Sequence, residues 1–86
     1  MEDFSAAYNL AQRAISDIKS AIHIILSTSK DGLTNAEIGR LLGIYHGHSG
    51  KHEGHISRVL LELMQTEGLI RQDTKTKKWT LRIYEQ

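Results

Sequence analysis

The chain contains no cysteine and no proline among its 86 residues. Without cysteine there is no disulfide framework and no thiolate metal site, which fits a reducing compartment such as the cytosol. No stretch approaches the roughly 18 to 20 consecutive apolar residues that a membrane-spanning helix needs. The acidic start, Met1-Glu2-Asp3, is unlike a secretory or transit peptide. We therefore expect a cytoplasmic protein with no membrane partner, and a single small domain covering residues 1–86.

The chain is also nearly neutral, with a formal net charge of only +1. The distribution of charge is more informative, because the segment from Arg71 to Arg82 holds five basic residues and one acidic residue, Asp73. Salt screens charges beyond about 8 Å, so a local basic patch matters more to a phosphate-bearing partner than net charge does. This segment is either a surface that contacts nucleic acid or a hairpin made lysine-rich for solubility.

The first part of the chain carries apolar residues at alternating spacings of four and three, which is the pattern of one helical face. This stripe predicts a helix from about Asp3 to Ser27, either continuous or broken once. Residues 16–26 suffice for a first core helix, so residues 1–15 form an extension. The stripe of the extension either pairs with a second copy in a homodimer or packs back on the core of its own domain. The stripe consists of Phe4, Tyr8, Ala11, Ile15, Ile18, Ile22 and Ile25.

Two further helices follow. Thr34 and Glu37 have the spacing of a capping box, in which each side chain satisfies a free backbone N–H at the start of a helix. Glycine tolerates the left-handed backbone that ends helices, so Gly43 and Gly68 are expected to close the two helices. The buried face of the first is predicted to consist of Ala36, Ile38, Leu41 and Leu42. That of the second, from spacings i, i+3, i+4, i+7 and i+8, is predicted to consist of Ile56, Val59, Leu60, Leu63 and Met64.

The last part of the chain is predicted to be a two-stranded hairpin. Leu69–Gln72 forms the first strand, and a polar turn leads to a second strand over Lys78–Tyr84. Trp79, Leu81 and Ile83 alternate with polar residues, so they are expected to point towards the core. Trp79 is interpreted as an anchor of the core beneath the hairpin rather than as a residue that stacks on a base.

These segments resemble a known family. LTNAEIGRLLG (Leu33–Gly43) is similar to the second helix of bacterial winged-helix regulators, and ISRVLLELMQTEGLI (Ile56–Ile70) is similar to their recognition helix and the start of the wing. WTL (residues 79–81) is similar to the returning strand of the wing. The resemblance covers Asp17 to Tyr84. It implies a mainly α fold with a small β hairpin (α+β), namely a winged helix-turn-helix with an extended N-terminal helix.

The resemblance also implies a function. Winged helices of this kind bind double-stranded DNA, here through a recognition helix at about 53–66, a turn at 44–54 and a basic wing at 71–82. The expected role is that of a transcriptional regulator or DNA-targeting module. Some winged helices instead bind proteins, so the alternative is an interaction module acting as an accessory domain of a larger complex.

The turn before the recognition helix departs from the family. Gly43 and Ser57 are 14 positions apart, more than in the ordinary motif, and the longer turn is similar to that of winged helices attached to some restriction-endonuclease-like and phage-defence proteins. Four histidines lie in or beside it, but their spacing matches no familiar zinc motif, so no metal and no cofactor are predicted. We expect these histidines to contact phosphates, which predicts tighter binding at the acidic end of about pH 5.5 to 7.5. A loop that is mobile until DNA binds is a further alternative.

Candidate DNA-contacting residues come from all three regions. In the recognition helix, Arg58 is expected to reach guanine and Ser57 to reach a phosphate or a base edge. The alternative for Arg58 is a solvated side chain or an ion pair with Glu62. Lysines of the wing are expected to contact phosphates. The full set is Tyr45, His46, His48, Ser49, Lys51, His52, His55, Ser57, Arg58, Lys75, Lys77 and Lys78.

Catalytic chemistry finds little support in the sequence. No nucleophile elbow, phosphate-binding loop or paired-carboxylate motif is present. A chain of this length also has little room for a deep catalytic pocket. We therefore expect a binding protein and not an enzyme.

Overall fold

The computed structural model describes residues 3–45 and 54–84. Within them the chain forms three helices and a two-stranded antiparallel hairpin, which confirms the predicted α+β class. No helix in these two ranges is long and apolar enough to cross a membrane. In chain order the elements are α1 (Ser5–Ser27), α2 (Asn35–Leu41), α3 (His55–Thr66), β1 (Ile70–Gln72), β2 (Trp79–Leu81) and a short 3-10 helix, Arg82–Tyr84.

Helix α1 is a single unbroken helix of 23 residues, as one of the two sequence alternatives predicted. Its C-terminal half joins the core, with Ile22 and Leu26 fully buried and Ile15 and Ile18 packed against them. Its N-terminal half does not, because every side chain from residue 3 to residue 14 is exposed. Of the two alternatives for the stripe of residues 1–15, packing back on the domain's own core is therefore seen only at Ile15.

The core lies where the three helices meet the hairpin. Helix α1 contacts both α3 and β2, while α3 also contacts α2 and β1. Burial of these aliphatic side chains and one indole is the main favourable contribution to folding. The buried hydrophobic residues are Ile22, Leu26, Ile38, Leu60, Leu61, Met64, Ile70, Trp79 and Leu81.

Helix α2 begins with the predicted capping box. The Glu37 N–H donates to Thr34 Oγ1 (3.2 Å), and the Thr34 N–H donates to Glu37 Oε1 (2.8 Å). The chain leaves the helix through Gly43, whose φ of 72° lies in the left-handed region, as expected. One core prediction is wrong: Leu41 is exposed, because the face of this short helix that meets α3 carries Ile38 and Gly39.

Helix α3 is rotated relative to the prediction. The predicted inward residues Ile56, Val59 and Leu63 remain 46%, 44% and 43% exposed, whereas Ser57 and Leu61 are fully buried. The buried set, Ser57, Leu60, Leu61 and Met64, has the same i, i+3, i+4, i+7 spacing as the predicted one and shares two of its members. A polar residue is tolerated on this face because its hydroxyl finds hydrogen-bond acceptors in the interior.

The hairpin pairs Ile70 with Leu81 and Gln72 with Trp79. An isolated bridge extends the pairing beyond the two strands, since Leu33 and Trp79 exchange backbone hydrogen bonds of 3.1 and 2.7 Å. The second strand is shorter than predicted. The chain turns into the 3-10 helix from Arg82, which leaves Ile83 exposed, so the expected inward position of Ile83 is wrong.

Candidate functional site

An open cavity of about 440 Å³ lies between the start of α2, one side of α3 and the hairpin. Side chains from α2, α3 and the hairpin all face this volume. Its lining mixes a core aromatic residue with charged and amide side chains. The lining residues are Thr34, Asn35, Ala36, Tyr45, Arg58, Glu62, Gln72, Lys77 and Trp79.

The cavity carries more positive than negative charge. Arg58 from α3 and Lys77 from the hairpin both line it, and Glu62 is the single acidic residue of the lining. Arg58 is exposed and forms no ion pair with Glu62 among the described residues, whereas Lys19 and Glu67 do form one, at 2.8 Å. The Arg58 guanidinium is thus available to a ligand, and the sequence alternative of an Arg58–Glu62 pair is not seen.

The tip of the hairpin is shaped by Asp73. Its carboxylate oxygen Oδ1 accepts backbone N–H groups from Lys75 (2.7 Å) and Thr76 (2.9 Å). These hydrogen bonds hold the pKa of the Asp73 carboxyl below its usual range. The Asp73 carbonyl accepts the Lys77 N–H at 2.9 Å, and Lys77 has a left-handed φ of 65°. The only acidic residue of the basic segment is therefore the residue that positions the neighbouring lysines.

A small polar network joins α2 to the start of α3 beneath the cavity. The Ser57 hydroxyl lies 2.7 Å from Asn35 Oδ1 and 3.0 Å from the Gly54 carbonyl oxygen. The Asn35 amide donates to the same carbonyl at 3.1 Å. Ser57 is fully buried, so it cannot reach a phosphate or a base edge, and its predicted DNA contact is wrong. Its hydroxyl instead fixes α3 relative to α2.

Tyr45 packs against this network and lines the cavity. The Arg40 guanidinium sits 4.5 Å from the centre of the Tyr45 ring, in a cation–π contact. The ring also lies close to Gly54, where an added Cβ would come within 3.0 Å of it. Tyr45 is half-buried, so a ligand in the cavity would meet one part of the ring while the rest supports α2.

Trp79 confirms the predicted core anchor, since it is buried and belongs to the hydrophobic core. It also lines the cavity. Its indole Nε1 is buried and has no hydrogen-bond acceptor within the described part of the chain. A buried donor without a partner costs free energy, so this indole lowers the stability that its burial contributes.

The three candidate lysines of the hairpin do not share one surface. Lys77 lines the cavity beside α3, whereas Lys78 lines a second cavity of about 290 Å³ on the hairpin. Lys75 is exposed in the turn between them. The second cavity is electrically mixed, because Lys78 and Arg71 face Asp31 and Asp73 there. Lys77 is thus the lysine that the structure brings together with Arg58.

The predicted histidine-rich turn is largely outside the described residues. His46, His48, Ser49, Lys51 and His52 all fall there, and their expected contacts stay predictions. His55 is described, and it is exposed at the first position of α3. Among residues 3–45 and 54–84 no group of three His, Cys, Asp or Glu side chains is placed to hold a metal ion.

Sequence reasoning missed two polar residues of the cavity, Asn35 and Gln72. Asn35 is the first residue of α2, directly after the capping threonine. Gln72 donates from Nε2 to the Lys77 carbonyl (3.1 Å) and so closes the hairpin beneath the turn. The capping box placed Asn35 at a helix start, but only the fold shows that this start faces α3.

Comparison with protein-family models, with curated protein sequences and with solved structures finds no match to this chain. A fold class alone does not define an activity. The function must therefore be inferred from the chemistry of the site itself.

Proposed function

We propose that this chain is a winged helix that binds double-stranded DNA, with α3 as the recognition helix and the hairpin as the wing. One observation carries the proposal. Arg58 of α3 and Lys77 of the hairpin line the same open cavity, so two elements that are separate in sequence offer cations to one ligand. A polyanion that spans both elements is the natural ligand of such an arrangement.

The side chains of α3 suit base edges better than phosphates alone. Arg58 and Glu62 are one helical turn apart and line the same cavity. Arginine donates two parallel hydrogen bonds to guanine, and glutamate accepts from the amino group of cytosine. Glu62 would repel phosphates, so the pair favours a position in the major groove over one along the backbone. The lysines of the wing then supply sequence-independent phosphate contacts.

The proposal places the protein in the cytoplasm as a transcriptional regulator or as a DNA-targeting module, and assigns it no catalytic step. The histidine-rich turn remains part of the proposal only as the prediction that affinity rises from pH 8 to pH 6. Equal affinity at the two pH values, at fixed salt, would remove the histidines from the interface.

The test is a fluorescence-anisotropy titration of random-sequence and selected duplex DNA. Arg58→Ala should weaken binding to the selected duplex by roughly 5- to 150-fold, which is the loss of a contact of about 1–3 kcal/mol. Lys77 has a left-handed backbone, so a substitution there would also change backbone strain. Lys75→Ala is the variant that removes the charge of a hairpin lysine without that effect. It should weaken binding to all sequences and flatten the salt dependence by about one unit.

Arg13→Ala is the matched control, because Arg13 is exposed on α1 and its removal changes net charge by the same amount. It should leave affinity within about twofold of the unaltered protein, as expected of a charge outside the interface. If Arg13→Ala and Arg58→Ala lose affinity equally, the cavity is not the interface. If the unaltered protein shows no binding at about 50 mM salt, where phosphate contacts are strong, the DNA proposal fails.

A second candidate is a protein-interaction module, and one observation favours it. Ile56, Val59 and Leu63 form an apolar stripe on α3 that remains almost half exposed. Exposed apolar helix faces of this kind are used to bind apolar grooves of other proteins. Failure of the DNA titration, with the domain still folded, would leave this candidate as the better one.

A further inference from the structure

The arm, defined as residues 4–14 of α1, presents an apolar stripe to solvent. Phe4 and Tyr8 are 69% and 65% exposed, and Ala11 is exposed beside them. The next residue in the 4-3-4 spacing is Ile15, which packs on the core. The stripe is therefore the continuation of the face that, further along the same helix, is covered by the domain.

The arm projects from the rest of the chain. Helix α1 is 23 residues long, about 34 Å at 1.5 Å per residue, and only its second half packs on the core. The Cα radius of gyration is 14.4 Å, above the roughly 12 Å expected of a compact domain of this length. An aromatic stripe on a projecting helix costs solvation free energy unless another surface covers it.

The composition of the arm indicates what kind of surface can cover its apolar stripe. The segment from Phe4 to Gln12 contains no charged residue, so it has no attraction for phosphates. The one charged residue of the arm, Arg13, lies two positions from Ala11 and five from Tyr8, which places it on the opposite side of the helix. Two identical stripes can therefore meet without bringing like charges together.

We propose that the arm pairs with the arm of a second copy of this chain, in an antiparallel helix pair. The direction follows from where each domain sits. From Ile15 onwards the stripe face of α1 is occupied by its own domain. In a parallel pair both domains would need the same space beyond residue 15. In an antiparallel pair the two domains lie at opposite ends of the paired arms, so they do not compete for the same space.

The stripe also complements itself in the antiparallel direction. The pairing that sets Phe4 of one copy opposite Ile15 of the other sets Tyr8 opposite Ala11. Each aromatic ring then meets an aliphatic or small side chain, which is how facing helices interdigitate. A parallel pair would instead stack Phe4 on Phe4 and Tyr8 on Tyr8. The antiparallel pair also extends each core, since the partner's Phe4 covers the outer side of Ile15.

The size of the contact sets its strength. Phe4 to Ile15 spans about 16 Å of helix, and a pair of this length buries less than the roughly 800 Å² per partner of a standard stable interface. We therefore expect a dimer that forms and dissociates with concentration. Sedimentation or light scattering at about 10 and 500 µM, a range that brackets such affinities, should show the mass rise from one chain of 9.7 kDa towards two.

The decisive variants are Ala11→Lys and Ala6→Lys. Both alanines are exposed in the arm, so the two substitutions add the same charge and neither disturbs the core. Ala11 lies on the stripe, whereas Ala6 lies two positions from both Phe4 and Tyr8, away from it. Ala11→Lys should stay monomeric at the highest concentration, and Ala6→Lys should dimerise like the unaltered chain. Equal behaviour of the two variants, or a monomeric unaltered chain at 500 µM, would overturn the proposal.

The direction of the helix pair is tested by disulfide trapping. The chain has no cysteine of its own, so only the introduced thiols can form disulfides. Tyr8→Cys and Ala11→Cys proteins are mixed in equal amounts and oxidised. The antiparallel pair predicts that the mixed disulfide makes up clearly more than the half of all disulfides that random pairing of equal amounts would give, because Cβ atoms must come within about 4.5 Å to be bridged. A mixed fraction at that random half would contradict the arrangement. Dominant homodisulfides would show a parallel pair and refute the proposed arrangement. The measurement contains no DNA, so its outcome is independent of the proposed function.

Discussion

At the scale of single residues, Ser57 shows why a polar residue in an apparent DNA-reading position need not read DNA. Its position near the start of a predicted recognition helix favoured a contact with phosphate or base. Its burial depends on Asn35, which lies 22 positions earlier in the chain and supplies the hydrogen-bond acceptor. No local pattern encodes such a partner, so the burial of Ser57 could not be predicted from the sequence. Arg58, one residue later, is exposed, and its predicted contact with guanine stays a prediction.

The hydrogen-bonded network of Ser57 and Asn35 requires a glycine at position 54, and a pair of glycine variants tests this requirement. Gly54 has a left-handed φ of 75°, and a Cβ there would lie 2.6 Å from Asn35 Nδ2. Gly54→Ala should therefore displace the Asn35 amide as well as strain the backbone. Gly43 has nearly the same φ, 72°, with nothing within 4 Å of an added Cβ, so Gly43→Ala is the matched control for backbone strain alone.

We expect Gly43→Ala to lower the free energy of unfolding by about 1 kcal/mol, which is the strain of a left-handed alanine. Gly54→Ala should lower it by at least about 1 kcal/mol more, because a buried hydrogen-bonded network is broken. Urea denaturation followed by circular dichroism measures both. Equal losses would mean that the close approach of Asn35 to Gly54 contributes nothing.

At the scale of elements, the sequence predicted which helices are present and where they end better than it predicted which face of a helix is buried. The start of α2, the left-handed glycines Gly43 and Gly68 after α2 and α3, and the extent of α1 were foreseeable, because caps and long periodic stripes are local features. Whether α1 is continuous was left open by the sequence. The rotation of α3 was not foreseeable. Two overlapping sets of positions have the same helical spacing, and which set is buried depends on the shapes of α1 and the hairpin. The sequence favoured the set with more apolar residues. The set that is buried includes Ser57, whose hydroxyl has hydrogen-bond acceptors in the interior.

Two elements are held by hydrogen bonds to carboxylates, and these predict how stability depends on pH. Backbone and side-chain hydrogen bonds from Thr34 lower the pKa of Glu37 at the start of α2. Backbone N–H groups of Thr76 and Lys75 do the same for Asp73 in the hairpin turn. A carboxyl whose pKa is lower in the folded state stabilises the fold above its unfolded pKa, and that contribution is lost as the pH falls through the folded pKa.

The urea midpoint of the protein should therefore fall as the pH drops below about 4.5, near the ordinary pKa values of these groups. Glu37→Gln combined with Asp73→Asn keeps oxygen acceptors in place but removes the titration, so the midpoint should depend less on pH. Asp17→Asn is the control, because the Asp17 carboxylate makes no hydrogen bond in the part of the chain that is described. If the double variant has the same pH profile as the unaltered protein, Glu37 and Asp73 are not the groups that cause the loss of stability in acid.

At the scale of the whole molecule, the chain divides its surface by chemistry. The arm is apolar and free of charge from Phe4 to Gln12, whereas the basic segment from Arg71 to Arg82 lies on the hairpin at the other end of the sequence. A net charge of +1 hides this division. The proposed arm pairing and the proposed DNA interface therefore use different surfaces, and variants of one surface should leave the other intact.

This separation makes a prediction for a chain shortened to residues 14–86. Side chains 3–14 are exposed, so their removal deletes no core contact of a single chain. At about 5 µM, where the weak pair is dissociated, the shortened and full-length proteins should unfold within about 2 °C of one another, since a loss of 1 kcal/mol would shift the midpoint by about 4–8 °C. At 500 µM only the full-length protein should gain stability, because only it can be stabilised by association. Thermal unfolding at the two concentrations measures both effects, and a large loss of stability at 5 µM would mean that the arm packs on its own domain after all.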